Sequence, residues 1–154
     1  MEVKISRGKI AIIDDDDYER INKHRWCYWA SGGYAGRKVT NNKVGSIALM
    51  HREIMNAQKG QEIDHINGNG LDNRKSNLRF VTRQQNMWNR KALNKTSSYK
   101  GVSFDVSSGK WLSQINIQGQ KICLGRYIVQ EDAAKAYDIT AKQAFGEYAR
   151  LNGV

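Results

Sequence analysis

The sequence predicts an α+β chain, and three patterns carry that prediction. Residues 1–48 alternate short β-rich runs with turns made of Gly, Asn and Asp. Residues 61–92 read as strand, Gly/Asn-rich turn, second short strand and helix, a ββα order. Residues 99–152 hold three strand-like runs and then one Ala-rich amphipathic helix, the pattern of a three-stranded antiparallel sheet packed on a single helix.

In the first stretch, "KIAII" (9–13) is a β-rich run stopped by "DDDD". Four adjacent carboxylates cannot converge on one ion, so the acidic run is read as a solvated turn that caps the next helix. "DYERINKHRW" (17–26) is a short helical turn leading to Trp26, Tyr28 and Trp29, and residues 31–39 and 41–49 form a hairpin around Asn41-Asn42. "ALMHREIMNA" (48–57) spaces its apolar residues as a helix does, with Gly60 as its terminator. The helix of the central stretch starts at Thr82, whose capping box closes on Gln85.

"NKTSS" (94–98) is polar and helix-poor and is read as a linker. The expected boundaries are therefore a β-rich segment at 1–48, a central unit at 49–93 and a C-terminal unit at 99–154. In that last unit "SSG" and "QGQ" are hairpin-sized turns. Residues 131–145 offer Ala133, Ala134, Tyr137, Ala141, Ala144 and Phe145 along one helix face. Strand alternation sends Trp111, Ser113, Ile115, Ile117, Ile122 and Leu124 towards that helix. It leaves Lys110, Leu112, Gln114, Asn116, Lys121 and Cys123 outward.

Composition narrows the partners. Lys and Arg number 25 against 15 Asp and Glu, a formal charge of +10. The excess is steepest in residues 49–98, at nine against four. A basic chain of this kind points to a polyanion, most often nucleic acid. With 40% apolar and 9% aromatic residues, one large core is not expected. No apolar run approaches the roughly 20 residues that cross a bilayer, so no membrane partner is expected. "MEVKISRGKIAIIDDDD" lacks the long apolar stretch of a signal peptide, which leads to an intracellular expectation. Cys27 and Cys123 belong to no CxxC pair, which argues against a zinc knuckle and a disulfide framework.

The central stretch "EIDHINGNGLDNRKSNLRFVTRQQN" (62–86) concentrates the chemistry. Asp64-His65 end the first strand, Asn77 stands in "SNLRF", and Asn86 lies on the helix in "RQQNMWN". These offsets resemble the HNH nuclease motif in its ββα-metal form, with asparagine in place of the last histidine. "MHREIM" just upstream resembles the segment that precedes the motif in phage-type and homing members. The resemblance implies a metal-dependent endonuclease in which His65 is the general base and Asn77 braces the loop. It also implies that Asp64 and Asn86 ligate one divalent ion per site, Mg²⁺ or Mn²⁺.

The residue types suit that chemistry. Phosphodiester hydrolysis needs an activated water and charge neutralisation on the phosphate, and hard oxygen ligands suit Mg²⁺. An imidazole titrates close enough to neutral pH to take a proton from water. Taken singly, Asp64 would be a strand end, His65 a polar loop neighbour, and Asn73 and Asn77 turn formers. Their joint occurrence at motif offsets favours the site. His51 lies outside the matched core and is read as structural or phosphate-contacting, and Asp72 as a local hydrogen-bonding residue. Arg74, Lys75, Arg79, Arg83 and Arg90 border the site, where a phosphate backbone would want them.

The last unit carries "KGV", "GKW", "LGRY", "EDAAKAYD" and a closing "LN". These resemble the Apetala/ethylene-response type of DNA-binding domain, which implies a sheet lying in the major groove with its helix behind. On that expectation Gln114 and Asn116 read adenine edges, and Lys100, Lys110 and Lys121 contact phosphate or guanine. The plant members carry arginines and tryptophans where this chain has Ser103, Gln114, Asn116 and Cys123, so the target site does not transfer. The expected partner is double-stranded DNA, met by a monomer or homodimer in the cytoplasm of a bacterial host. The rival expectation is a sequence-specific DNA-binding regulator with an inactive nuclease motif.

Overall fold

The computed structural model describes residues 1–39, 46–91 and 96–154. Its architecture is α+β, with a ββα-like core, an N-terminal β-rich region and a C-terminal three-stranded sheet packed on a helix. The chain divides into two units, Met1–Asn86 and Met87–Val154.

In the first unit, β1 (Glu2–Lys4) and β2 (Ile10–Ile12) pair antiparallel. The acidic run opens α1 (Asp15–Ile21), placing Asp15, Asp16 and Asp17 where the helix dipole favours negative charge. The run is not wholly a solvated cap. Asp14 makes no side-chain cap bond and accepts the Lys75 amide at 2.7 Å. Asp17 is buried and pairs with Arg20 at 2.6 Å and Lys75 at 2.8 Å. Both acids therefore hold a distant turn.

Next, β3 (Cys27–Trp29), β4 (Tyr34–Lys38) and β5 (Ile47–Leu49) form an antiparallel sheet in that order. The expected hairpin pairs Gly36 with Leu49 and Lys38 with Ile47, while its Asn41-Asn42 turn lies outside the described residues. The helix α2 (Met50–Ile54) is shorter than its apolar spacing suggests. Asn56 terminates it, at φ 49, with Ala57 N donating to Arg52 O and Asn56 N to Glu53 O. Gly60 serves the following turn instead.

β6 (Glu62–His65) pairs antiparallel with β7 (Leu78–Val81), and α3 (Arg83–Trp88) follows. Both bonds of the expected capping box form: Gln85 N donates to Thr82 Oγ1 at 3.2 Å, and Thr82 N to Gln85 Oε1 at 2.9 Å. One core spans this unit, joining Val3, Ala11, Ile21 and Trp26 to Met50, Ile54, Ile63 and Leu78. The loop between β6 and β7 is stitched to β2, with Ile12 N donating to Leu71 O and Asn73 N to Ile12 O. Gly70 sits where that loop meets the β3–β4 turn: a Cβ there would lie 2.5 Å from the Gly33 carbonyl oxygen and from the Tyr34 ring.

In the second unit, β8 (Val102–Asp105), β9 (Lys110–Ile117) and β10 (Gln120–Tyr127) form an antiparallel sheet with β9 central. The helix α4 (Gln130–Phe145) buries Ala133, Ala134, Tyr137, Ala141 and Phe145. Ala144 is exposed, against expectation. Ile115 and Ser113 are buried as alternation requires, but Ile122 keeps 40% exposure. A bulge between Cys123 and Gly125 brings Leu124 onto the core. Gly101, at φ +75, has no room for a Cβ against the Tyr137 ring. Ser97 is buried and accepts bonds from Tyr99 and Gln130, while residues 94 and 95 of the expected linker lie outside the described residues.

Candidate functional site

Strand alternation places Glu62 and Asp64 on one side of β6 and Ile63 and His65 on the other. Asp64 lies opposite Arg79 across the ladder, and one of its carboxylate oxygens accepts Arg79 Nε at 3.1 Å and an Nη at 2.9 Å. The pair is withdrawn from solvent, with side chains 8% and 13% exposed. On α3, Asn86 donates its Nδ2 to Glu62 Oε2 at 2.8 Å. That bond brings the Asn86 amide to the side of β6 that carries Asp64. The bond uses Nδ2, and Oδ1 is the acceptor atom of that amide.

Asp64, Asn86 and Glu62 offer only oxygen, a donor set that fits a hard divalent cation. Among the described residues, no three His, Cys, Asp or Glu side chains form a complete ligand group. An ion held here draws the rest of its shell from water or phosphate.

His65 ends β6, opposite Leu78, and is buried. Its ring stacks on Tyr34 at 5.6 Å between centroids and meets His51 edge-on at 4.9 Å. Its Nε2 lies 3.2 Å from Asn73 Oδ1. Burial pulls the His65 pKa down, and Asn73 and Asp64 partly oppose that fall. The ring is thus neutral at ordinary pH, the form that accepts a proton.

Asn77 is buried in the turn ahead of β7. Its Nδ2 donates to the Asp72 carbonyl at 2.8 Å and its Oδ1 accepts the Asn67 amide at 3.0 Å. Both bonds lock the loop that follows His65. The residues 51–88 match a family model for HNH endonuclease. The chain belongs to the HNH endonuclease family. At the level of that family the activity is a metal-dependent nuclease.

Relatives extend the match beyond the HNH motif. An uncharacterized HNH endonuclease of Acanthamoeba polyphaga mimivirus is 28% identical over 153 residues, covering 96% of this chain and 77% of its own. Protein 3.8 of Escherichia phage T7 is 32% identical over 94 residues, covering 60% of this chain and 77% of its own. The dehydration-responsive element-binding protein 2A of Arabidopsis thaliana is 38% identical over 61 residues, 38% of this chain and 18% of the plant protein.

The basic residues around the HNH motif differ in how they are held. Arg74 is exposed and pairs with Asp72 at 2.7 Å, and Lys75 pairs with Asp17. Arg79 is the buried partner of Asp64. Arg83 and Arg90 are exposed. In the second unit, Lys110, Asn116 and Lys121 are exposed and Gln114 half-buried on the sheet face away from α4. Lys100 is half-buried and donates its ammonium to the Trp88 carbonyl; burial first, and Arg150 second, bring its pKa down to about 8.

Glu62 and Tyr34 complete the surroundings of the motif beside His51 and Asn73, and the sequence reading gives neither Glu62 nor Tyr34 that place. Glu62 had a signal, since it stands two residues before Asp64 on the same strand face. Tyr34 had no local signal.

His51 makes a pH prediction. It is buried with its Nδ1 unpartnered, and burial, then His65, brings its pKa from 6.5 down to about 3. The unfolded chain takes up this proton first as pH falls, so the stabilisation is complete above about 6.5 and drains away towards pH 3. At about pH 5 the loss is about 2 kcal/mol. Thermal midpoints measured near pH 8 and pH 5 should differ accordingly, and His51→Phe should narrow the gap.

Proposed function

We propose that this chain is a DNA endonuclease that hydrolyses phosphodiester bonds with one divalent ion and His65 as general base. The observation that supports it is the Asn86–Glu62 bond, which holds the Asn86 amide against Glu62, two residues before Asp64 on the same strand. A Mg²⁺ or Mn²⁺ ion bound there would neutralise the phosphate and stabilise the departing 3′ oxygen. Asp64 and Asn86 would hold it. His65 takes the proton of the attacking water, and Asn77 holds the loop that follows His65. One site per chain cuts one strand per encounter, so a nick is the default product.

The C-terminal unit acts as an Apetala/ethylene-response-type reader of duplex DNA, through Lys110, Gln114, Asn116 and Lys121. Its likeness to the plant element-binding protein over 61 residues supports that role, and it gives the nuclease a site preference like that of homing enzymes. Arg83 and Arg90 contact phosphates near the cut.

Incubation of supercoiled plasmid with the protein and Mg²⁺ should yield open circles, and EDTA should prevent it. A protein that grips one duplex tightly without metal and never nicks it would be a regulator instead.

A further inference from the structure

We infer that Arg126 is a further base-reading residue of the C-terminal sheet, presenting its guanidinium fork to the O6 and N7 of a guanine in duplex DNA, and that Asp105 positions it. This rests on the reading of the C-terminal unit as a reader of duplex DNA.

Register puts both residues on the sheet face away from α4. On β8, Val102 is buried and Phe104 meets the Trp111 ring on the α4 side, so Asp105 points outward. On β10, Tyr127 packs inward beside Val102, and Arg126 points outward opposite Leu112. These are the two outer strands of the sheet. The Arg126 side chain therefore crosses the outward face of β9, at the level of Lys110 and Leu112, and its Nε donates to Asp105 Oδ2 at 2.8 Å. Lys110 stands directly opposite Asp105 in the ladder, yet the carboxylate takes the guanidinium from two strands away. The pair carries the charge of Arg126 to the middle of the sheet, beside the outward row that holds Gln114 and Asn116.

Asp105 is itself fixed. At the start of the β8–β9 turn its Oδ1 accepts the Ser107 amide at 3.1 Å and the Ser107 hydroxyl at 2.6 Å. Those bonds first, and Arg126 second, hold its carboxyl well below the usual carboxylate range, so it stays charged at ordinary pH. Only the Nε of Arg126 is engaged. Among the described residues its two terminal nitrogens have no protein partner, and the side chain is 51% exposed. A guanidinium held at Nε has its remaining donors fixed in one plane, a match for two acceptors side by side. Guanine offers that pair, O6 and N7, on the floor of the major groove. A phosphate fits less well, because it would meet the Asp105 carboxylate beside the guanidinium. Stability does not account for the pair either, since an exposed ion pair contributes little to folding.

Selection of bound duplexes from a randomised library, with the full chain in EDTA so that nothing is cut, tests this. Wild type should recover sites with a fixed guanine at one position, and replacing that guanine should weaken binding roughly 5–150-fold. Arg126→Ala and Arg126→Gln should erase the preference at that position and keep the others. Asp105→Asn should blunt it, because an amide has one acceptor oxygen where the carboxylate uses two. Full guanine preference in the Asp105→Asn protein overturns the positioning role. An unchanged consensus in both Arg126 variants overturns the inference and leaves the DNA-reading role standing. Equal weakening on every sequence, with a salt dependence shallower by about one unit, makes Arg126 a phosphate contact and overturns it as well. A measurement on the wild type alone decides even if the variants do not fold. Replacing the selected guanine by 7-deazaguanine, which lacks the N7 acceptor, should weaken binding, and undiminished binding at every selected guanine overturns the inference. A wild-type protein that selects no sequence ends the reader role and the inference together.

Discussion

Replacing His65 by alanine is expected to lower plasmid nicking by roughly 10²–10⁴-fold, the range set by loss of a general base. DNA binding should persist, because the proposed phosphate and base contacts lie elsewhere, at Arg83 on α3, at Arg90 just beyond it and on the C-terminal sheet. The substitution also empties a buried site between Tyr34 and His51. His65→Gln, which fills more of that space, should therefore be as inactive and more stable. Gel-shift affinity and nicking rate, measured on the same preparations, separate the two effects. Equal nicking by wild type and both variants would remove His65 from the chemistry.

Asp64→Ala should have the larger effect on stability. Its carboxylate is the partner of an arginine side chain only 13% exposed. Removing one member of a buried pair leaves an uncompensated charge, at a cost of about 3–5 kcal/mol. Adding Arg79→Leu should recover much of that stability without recovering any nicking. Activity and stability would then part at one residue: the double variant is folded and inert. Chemical denaturation of the wild type, both single variants and the double variant gives the coupling directly. Full nicking by a folded Asp64→Ala protein would take the metal ligand away from this position.

Much of the fold was legible where local signals were strong. The Thr82 and Gln85 capping box, the β8–β9–β10 meander and the Ala-rich face of α4 all depend on neighbours in sequence, and such patterns carry their own geometry. The misses have a different origin. The helix α2 stopped at Asn56 because a left-handed residue can end a helix wherever its carbonyls find partners. Asp14 and Asp17 looked like a solvated run because their partner, Lys75, is far along the chain. The surroundings of the motif divide the same way. Asp64, His65, Asn77 and Asn86 stand at recognisable offsets. Tyr34 reaches His65 only through tertiary packing, which no spacing reports. Charge alone suggests a phosphate contact for Arg79, whereas cross-strand register sets it opposite Asp64.

Gly70 constrains how this scaffold can change. Any side chain at that position must displace both the Gly33 carbonyl and the Tyr34 ring. The β3–β4 turn and position 70, distant in sequence, are therefore one unit of variation. A lineage that lengthens or shortens the turn at 30–33 gains freedom at 70, and one that keeps the turn is held to glycine there. In an alignment of close relatives, indels in that turn and loss of the glycine should occur in the same sequences.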